Sequence, residues 1–210
     1  MKKTFYILAL SAGTCCFAQT DQLAVYAGVE MQPAIRSYQP ASQFNARAYL
    51  NEKISLGGAV SFALEKHPQN FGFSAERTRS QHTTLNFMVQ NDFANTEKLF
   101  FSTYLSSGMY LVALVNPDDK TNEIFYNDLD GVWNANPYKV PRRLNRDLFY
   151  NIQGGFDFSY RLTTISKQKV SLYLTSRAGY QFVFGKGDFS TGSQFTKPVF
   201  SLGVTFKANK

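Results

Sequence analysis

The stretch LFYNIQGGFDFSYRL, from Leu148 to Leu162, places an apolar or aromatic residue at every second position except Gly154. The residues between them are mostly small or polar and include Asp157 and Arg161. Successive side chains of a β-strand point to opposite faces, so this alternation predicts a long strand with one apolar and one polar face. A chain made of such strands must cover each apolar face, either with a second sheet or with lipid.

The same alternation recurs along the chain and predicts eight strands in all. The predicted strands cover 23–31, 44–50, 54–64, 83–91, 99–111, 148–162, 170–184 and 200–206. Short connections are expected at 51–53, 94–98 and 163–169, and long ones at 32–43, 65–82, 112–146 and 185–197. Alternation of short turns with long loops is typical of outer-membrane barrels, whose long loops lie outside the cell.

The length of the runs and the composition of their polar faces indicate that lipid, rather than a second sheet, covers the apolar faces of the strands. A strand tilted by about 45° needs roughly 9–11 residues to cross a bilayer, and most of the runs approach or exceed that length. Their polar faces carry mainly Gly, Ser, Ala and Asn, which suit the inside of a narrow barrel. In hydrocarbon, only a closed sheet pairs all of its backbone groups.

The sequence therefore predicts an all-β fold, a single eight-stranded antiparallel transmembrane up-and-down β-barrel. A mean hydropathy of −0.25 excludes a bundle of membrane helices. The alternative is a water-soluble lipocalin-like barrel or β-sandwich, whose apolar faces would form its own core.

The first residues form a separate segment. Two lysines are followed by an apolar run over 5–12 and by small residues that end at Ala18, which is the layout of a cleaved secretory signal. We therefore expect a signal peptide at 1–18 and the barrel at 19–210. Both cysteines, Cys15 and Cys16, lie in the signal, so no disulfide is expected in the exported chain. A lipoprotein signal is the alternative, since these cysteines lie at a suitable depth.

The net charge of +7 does not by itself indicate a nucleic-acid partner. The 22 Lys and Arg residues are scattered among 12 Tyr and 20 Phe, and the longest basic run is the pair Arg142–Arg143. Nucleic-acid binding domains concentrate their charge on one face or stripe. We therefore expect no nucleic-acid partner.

The segment SLGVTF near the C-terminus has a polar residue at Ser201, glycine at Gly203 and an aromatic ring at Phe206. In this segment and in its strand pattern, the chain resembles small outer-membrane β-barrel proteins of Gram-negative bacteria (OmpX/OmpA-barrel-like, of the outer membrane protein beta-barrel domain type). The resemblance implies an outer-membrane location, contact with membrane lipid and lipopolysaccharide, and assembly by the barrel-assembly machinery, with these three residues as the assembly signal. Members include anchors, adhesins, pores and lipid-modifying enzymes, so no activity is implied. We expect a monomer without cofactor or metal.

Five charged residues fall on the predicted inner faces of the strands: Glu30, Arg47, Asp157, Arg161 and Arg177. An unpaired charge in a narrow interior is costly, so opposite charges there should pair. Eight strands leave room for side chains and little else, which predicts a structural polar cluster that plugs the lumen. The alternative is a charged constriction in a narrow, porin-like pore for small solutes.

The segment 112–146 combines an acidic first half with a basic end and the single tryptophan of the chain, Trp133. One interpretation makes Trp133 and Tyr138 exposed recognition anchors, while Arg142 and Arg143 bind anionic lipopolysaccharide. The other interpretation is that the segment folds on itself by charge pairing and places its aromatic rings at the membrane interface.

The two histidines, His67 and His82, raise the alternative of a lipid-modifying enzyme, because both lie in the predicted connection 65–82 near Ser74, Ser80 and Glu76. Such an enzyme needs a nucleophile, a base and an orienting group. A His-Pro pair in a loop is more often a solvated turn, and no enzyme is expected. The predicted function is that of an integral outer-membrane protein with a structural or surface-interaction role.

Overall fold

The structure is a computed structural model that describes residues 22–66, 78–96, 98–129, 132–165 and 170–208. The predicted signal peptide, 1–18, lies outside the described residues, as do His67, Ser74 and Glu76. Among the described residues, no helix has the length and the apolar character needed to cross a bilayer.

Within these ranges the chain forms eight β-strands and one short helix. They are β1 (Leu23–Pro33), β2 (Tyr38–Tyr49), β3 (Ile54–Lys66), β4 (Arg79–Asn95), β5 (Leu99–Leu129), β6 (Val132–Ile165), β7 (Val170–Phe184), α1 (Gly192–Phe195) and β8 (Lys197–Ala208). Each strand pairs antiparallel with its neighbours in the chain, and β1 pairs with β8, so the sheet closes on itself. The prediction of an eight-stranded antiparallel up-and-down barrel is confirmed.

The side chains are distributed inside out relative to a water-soluble protein. Large hydrophobic residues are exposed on the outer face of every strand; on β6, Leu148 is 62% exposed and Phe156 is 64% exposed. The inner face of the same strand buries polar side chains, including Asn151 at 0% and Asp157 at 2% exposure. The alternation seen in the sequence therefore separates a polar lumen from an apolar outer wall.

Two glycines at the seam between β1 and β8 make room for a tyrosine in the lumen. Gly28 lies opposite Gly203. A Cβ atom on Gly28 would lie 2.3 Å from the hydroxyl of Tyr26, and one on Gly203 would lie 2.3 Å from the carbonyl oxygen of Ala27. Both positions therefore require glycine, because a side chain would collide with the ring or with the neighbouring backbone.

The predicted long connection at 32–43 is wrong. β1 and β2 remain paired up to Pro33 and Tyr38, which leaves only 34–37 between them. The connection predicted at 65–82 is also shorter, because β3 continues to Lys66 and β4 begins at Arg79. These extensions carry polar residues on both faces, so the alternation that marks the rest of each strand is absent from them.

The segment 112–146 is not the long loop that the sequence predicts. β4 stops pairing with β5 at Val115, but β5 and β6 continue to pair with each other as far as Leu129 and Val132. The register shifts between Leu114 and Val115, and again between Asn116 and Lys120. The segment is therefore a two-stranded ribbon that continues from the barrel wall, which we call the β5–β6 ribbon (residues 116–129 and 132–142).

The two ends of the barrel differ in structure. At the turn end, where β2 joins β3, β4 joins β5 and β6 joins β7, the connections are short. At the opposite loop end, the connection 185–196 with helix α1 lies over the lumen. Phe195 of this connection is fully buried and packs in a cluster with Tyr110, Val112, Phe149 and Val183. The interior of the barrel is thus covered at the loop end by its own chain.

Candidate functional site

A buried ion pair occupies the middle of the lumen. Asp157 on β6 lies opposite Arg177 on β7, and the carboxylate accepts two hydrogen bonds from the guanidinium, both at 2.6 Å. The guanidinium carbon of Arg177 lies 4.3 Å from the ring centroid of Tyr104 and 5.5 Å from that of Tyr26. A buried pair of this kind is stable only when both partners are fully bonded, and the bidentate geometry meets that condition.

Side chains from opposite walls meet at the same level. Glu30 on β1 accepts hydrogen bonds from Gln43 at 2.6 Å and from Gln153 on β6 at 3.4 Å. Gln153 also donates to the hydroxyl of Tyr104 at 3.2 Å. All of these side chains are buried. They form a bonded layer across the lumen, which we call the central layer (Tyr26, Glu30, Gln43, Tyr104, Gln153, Asp157 and Arg177).

Arg47 and Arg161 lie nearer the turn end and do not join the central layer. Arg47 is buried and donates to Gln90 and, at 3.5 Å, to Asn45. Arg161 is half-buried, and its Nε atom has no hydrogen-bond partner among the described residues. The structure therefore places the five predicted lumen residues at more than one level, with Asp157 and Arg177 in direct contact.

A second polar group at the turn end was not predicted. Asp92 accepts hydrogen bonds from Ser102 at 2.7 Å, Tyr49 at 2.9 Å and Lys207 at 3.4 Å. Together with Arg47 it lines a cavity of about 20 Å³, which has room for about one water molecule. The alternation pattern does not reveal this group, because Asp92 and Lys207 lie just outside the alternating runs.

A third polar group surrounds His82, which the sequence placed in a loop at the rim. That placement is wrong, since His82 lies on the inner face of β4 and is fully buried. Its Nδ1 lies 3.1 Å from the hydroxyl of Tyr110, whose proton goes to the carbonyl oxygen of Pro33 at 2.6 Å. In neutral His82, Nδ1 therefore carries the ring proton, and Nε2 lies 2.7 Å from the Ser80 hydroxyl, which also lies 3.4 Å from a carboxylate oxygen of Glu65.

This serine–histidine contact has the geometry of an activated nucleophile but lacks access. Glu65 lies 3.5 Å from Nε2 of His82 and also accepts backbone hydrogen bonds from Ile35 and Arg36. The ring of Phe195 lies 5.8 Å from that of His82 and belongs to the connection that covers the lumen. A substrate could reach Ser80 only if this connection moved, so the group is better suited to joining the loop-end segments to the barrel.

Asp147 holds the covering connection in place. Its carboxylate accepts hydrogen bonds from the backbone of Asp188 at 2.7 Å and of Ser190 at 2.9 Å, and from the Ser190 hydroxyl at 2.6 Å. Asp147 is 3% exposed. A buried carboxylate that receives several N–H and O–H donors fixes the backbone that supplies them.

The candidate recognition residues divide into two sets. Arg142 forms an exposed ion pair with Asp119 at 3.0 Å, which agrees with charge pairing within the ribbon. Arg143 is also exposed but forms no ion pair with another described residue. The backbone of Trp133 and Tyr138 lies in the β5–β6 ribbon, and their side chains lie outside the described part of the structure.

The residues of the predicted assembly signal lie on β8. Ser201 faces the lumen and accepts a hydrogen bond from Tyr26 at 3.1 Å. Gly203 lies at the seam with β1, and Phe206 is 47% exposed on the outer wall. Each of the three therefore has a structural role in the closed barrel.

The sequence matches no family model and no curated protein. Among solved structures, the chain is similar to Ail, the attachment invasion locus protein of Yersinia pestis, which was solved in complex with the heparin analogue sucrose octasulfate. The sequence identity is 8%, the match covers 89% of this chain and 95% of that chain, and the TM-score is 0.46. It is also similar to Neisserial surface protein A, with 13% identity over 90% of this chain and 95% of that chain and a TM-score of 0.44. A second structure of Ail gives 10% identity, 89% and 95% coverage, and a TM-score of 0.39.

Proposed function

We propose that this protein is an integral outer-membrane β-barrel with a structural or surface-interaction role, and that its lumen is closed by its own side chains. The observation that carries the proposal is the inside-out distribution of side chains. Phe87, Leu105 and Leu202 are 58%, 59% and 57% exposed on different strands, whereas Glu30 and Arg177 are 1% and 3% exposed inside. Monomeric proteins in water seldom expose contiguous apolar patches larger than a few hundred Å².

The height of the apolar wall suits a bilayer. Outward-facing apolar residues on β6 run from Leu148 to Leu162, a distance of about 46 Å at ~3.3 Å per residue. With a strand tilt of about 45° the band is about 33 Å high, close to the ~30 Å thickness of a hydrocarbon core. Closure of the sheet through β1 and β8 removes the unpaired edge that lipid would not tolerate.

The central layer favours a closed lumen rather than a pore for solutes. Glu30 and Gln153 connect β1 to β6 across the interior, and the Arg177 guanidinium is bonded to Asp157 and lies against the ring of Tyr104. A solute would have to break these contacts in order to pass. Phe195 and its neighbours add a second obstruction at the loop end.

The proposed outer-membrane location rests on two features, the apolar wall and the export signal expected at 1–18. In this arrangement the turn end faces the periplasm, and the loop end with the β5–β6 ribbon faces outward. The β8 residues Ser201, Gly203 and Phe206 are the proposed signal for the barrel-assembly machinery. Lipid surrounds the wall, and lipopolysaccharide is the expected neighbour of the loop end.

The experiment that tests this proposal is a heat-modifiability gel on protein extracted from outer-membrane fractions in detergent. We expect the unboiled protein to migrate faster than the boiled protein, because a closed barrel resists unfolding by detergent. The same chain without residues 1–18, purified in buffer without detergent, should aggregate. A monodisperse folded species in that buffer would overturn the proposal.

A further inference from the structure

We propose that the loop-end rim carries a binding site for two phosphate groups of one membrane lipid, formed by Lys66, Arg79, Arg143 and Arg146. This inference rests on the proposed membrane placement and adds to it the residues and the ligand chemistry. We call these four residues the cationic row.

Strand register brings the four residues to one face of neighbouring strands. Lys66 on β3 lies opposite Arg79 on β4, Arg79 lies opposite Val115 on β5, and Val115 lies opposite Arg143 on β6. Lys66 follows Phe62 and Leu64 on the outer face of β3, so the residues paired with it point outward as well. Arg146, two residues before the exposed Leu148, lies on the outer face of β6.

The row lies just beyond the apolar wall. The last outward-facing apolar positions before it are Leu64 and Leu148, which are 48% and 62% exposed. Two residues along a strand cover about 7 Å, which is about 5 Å along the membrane normal at a strand tilt of about 45°. The headgroup region adds roughly 5–8 Å on each side of the hydrocarbon core. The cations therefore lie at the depth at which lipid phosphates lie.

Among the described residues, no acidic side chain pairs with the charges of the row. None of the four side chains forms a hydrogen bond or an ion pair within the described part of the chain. Lys66 and Arg79 face each other directly, an arrangement that destabilises a sheet unless an anion lies between them. By contrast, Arg142 points to the opposite face from Arg143 and pairs with Asp119.

The spacing indicates two anionic groups rather than one. Adjacent strands are about 4.8 Å apart, so one phosphate can contact both Lys66 and Arg79. Arg143 is two strands from Arg79, about 10 Å away, and forms a second centre with Arg146. Ala113 and Val115 lie on β5 between the two centres and have short side chains, which are 3% and 9% exposed. Arginine can also bind phosphate through two parallel hydrogen bonds.

The test measures lipid binding by the full exported chain in phosphatidylcholine vesicles. The vesicles contain fluorescent lipid A with both phosphates, with one phosphate, or with none, and energy transfer from the protein reports occupancy. We expect affinity to fall with each phosphate removed. The variant Lys66→Gln/Arg79→Gln/Arg143→Gln should lose affinity by about fivefold for each cation removed, since a basic residue near an anionic membrane surface contributes about 1 kcal/mol.

Two controls separate this site from general charge attraction. Arg142→Gln removes a cation that already has a partner, and Lys53→Gln/Lys98→Gln removes exposed cations at the turn end; both should bind lipid A as the unchanged protein does. Equal binding of the three lipids, or an unchanged affinity in the triple variant, would overturn the inference. Heat modifiability is measured on every variant. A barrel that remains heat-modifiable without phosphate-dependent binding refutes the site alone, whereas loss of heat modifiability in the unchanged protein refutes the membrane placement.

Discussion

Asp157 and Arg177 show how a charged residue is accommodated inside a narrow barrel. Each is almost fully buried, and each satisfies the other through two hydrogen bonds. The inward orientation of both residues could be predicted from the alternation in their strands. The sequence predicts that opposite charges pair in the lumen but not which ones, because the choice depends on the register between β6 and β7, which neither strand encodes alone. For the same reason, the sequence did not predict that Arg47 lies apart from this pair.

The variant Asp157→Asn should destabilise the barrel by about 3–5 kcal/mol, because it leaves the buried charge of Arg177 without its counter-charge. Urea unfolding in lipid vesicles measures the change. Replacing both partners, as Asp157→Asn/Arg177→Met, should recover part of the loss. Glu52→Gln, an exposed acid at the turn end, provides the control. Equal stability of Asp157→Asn and the unchanged protein would show that the pair has no structural role.

The serine–histidine contact at the loop end gives a second prediction for single residues. Ser80→Ala should lower stability by about 1–3 kcal/mol, because Nε2 of His82 is left buried without its donor. The lipid composition of membranes that contain this variant should match that of membranes with the unchanged protein. Mass spectrometry of extracted lipids measures this, and a modified lipid that disappears with Ser80→Ala would establish catalysis instead.

At the scale of elements, the sequence predicts strands well only where they contact the proposed lipid. The bounds predicted for β7 agree with the structure at both ends, because Val170–Phe184 alternates throughout. The start of β4 was missed, since Arg79–His82 is polar on both faces. The β5–β6 ribbon was missed because apolar residues such as Ile124, Phe125 and Trp133 do not recur at every second position. A strand without a continuous apolar face cannot be recognised from periodicity.

The connection 185–196 provides the prediction for this scale. Asp147→Asn should release it, because an amide accepts the bonds from Asp188 and Ser190 more weakly than a carboxylate does. Hydrogen exchange of 186–190 should become faster, while exchange in β6 and β7 stays slow. Asp119→Asn, in the β5–β6 ribbon, is the matched control, since its carboxylate bonds to Arg142 rather than to this connection. Unchanged exchange in 186–190 would remove Asp147 from this role.

For the whole molecule, closure of the sheet and closure of the lumen are separate properties. Pairing of β1 with β8 completes the wall, and the central layer with the loop-end cluster fills the space within it. The sequence predicts the first from strand number and alternation. It predicts the second only in outline, because α1 and Phe195 come from a connection that carries no strand pattern. The loop-end cover was therefore beyond sequence reasoning.

Planar-bilayer recording tests whether the lumen is closed. We expect no stable conductance from the unchanged protein, because the bonded side chains of the central layer would have to separate for an ion to pass. The variant Glu30→Ala/Gln153→Ala/Arg177→Ala, combined with Asp157→Ala, removes the contacts across the lumen and should produce small conductance steps if the barrel still folds. Stable steps from the unchanged protein would favour the narrow pore.

The seam between β1 and β8 has a consequence for biogenesis. The partner of the first strand is the last strand of the barrel, so the ring cannot close before β8 has been synthesised. Until β8 pairs, the sheet has two unpaired edge strands and a large exposed apolar face, and this combination promotes aggregation. If the chain is exported as proposed, it must cross to the outer membrane unfolded, and pairing of β1 with β8 is the step that completes the wall.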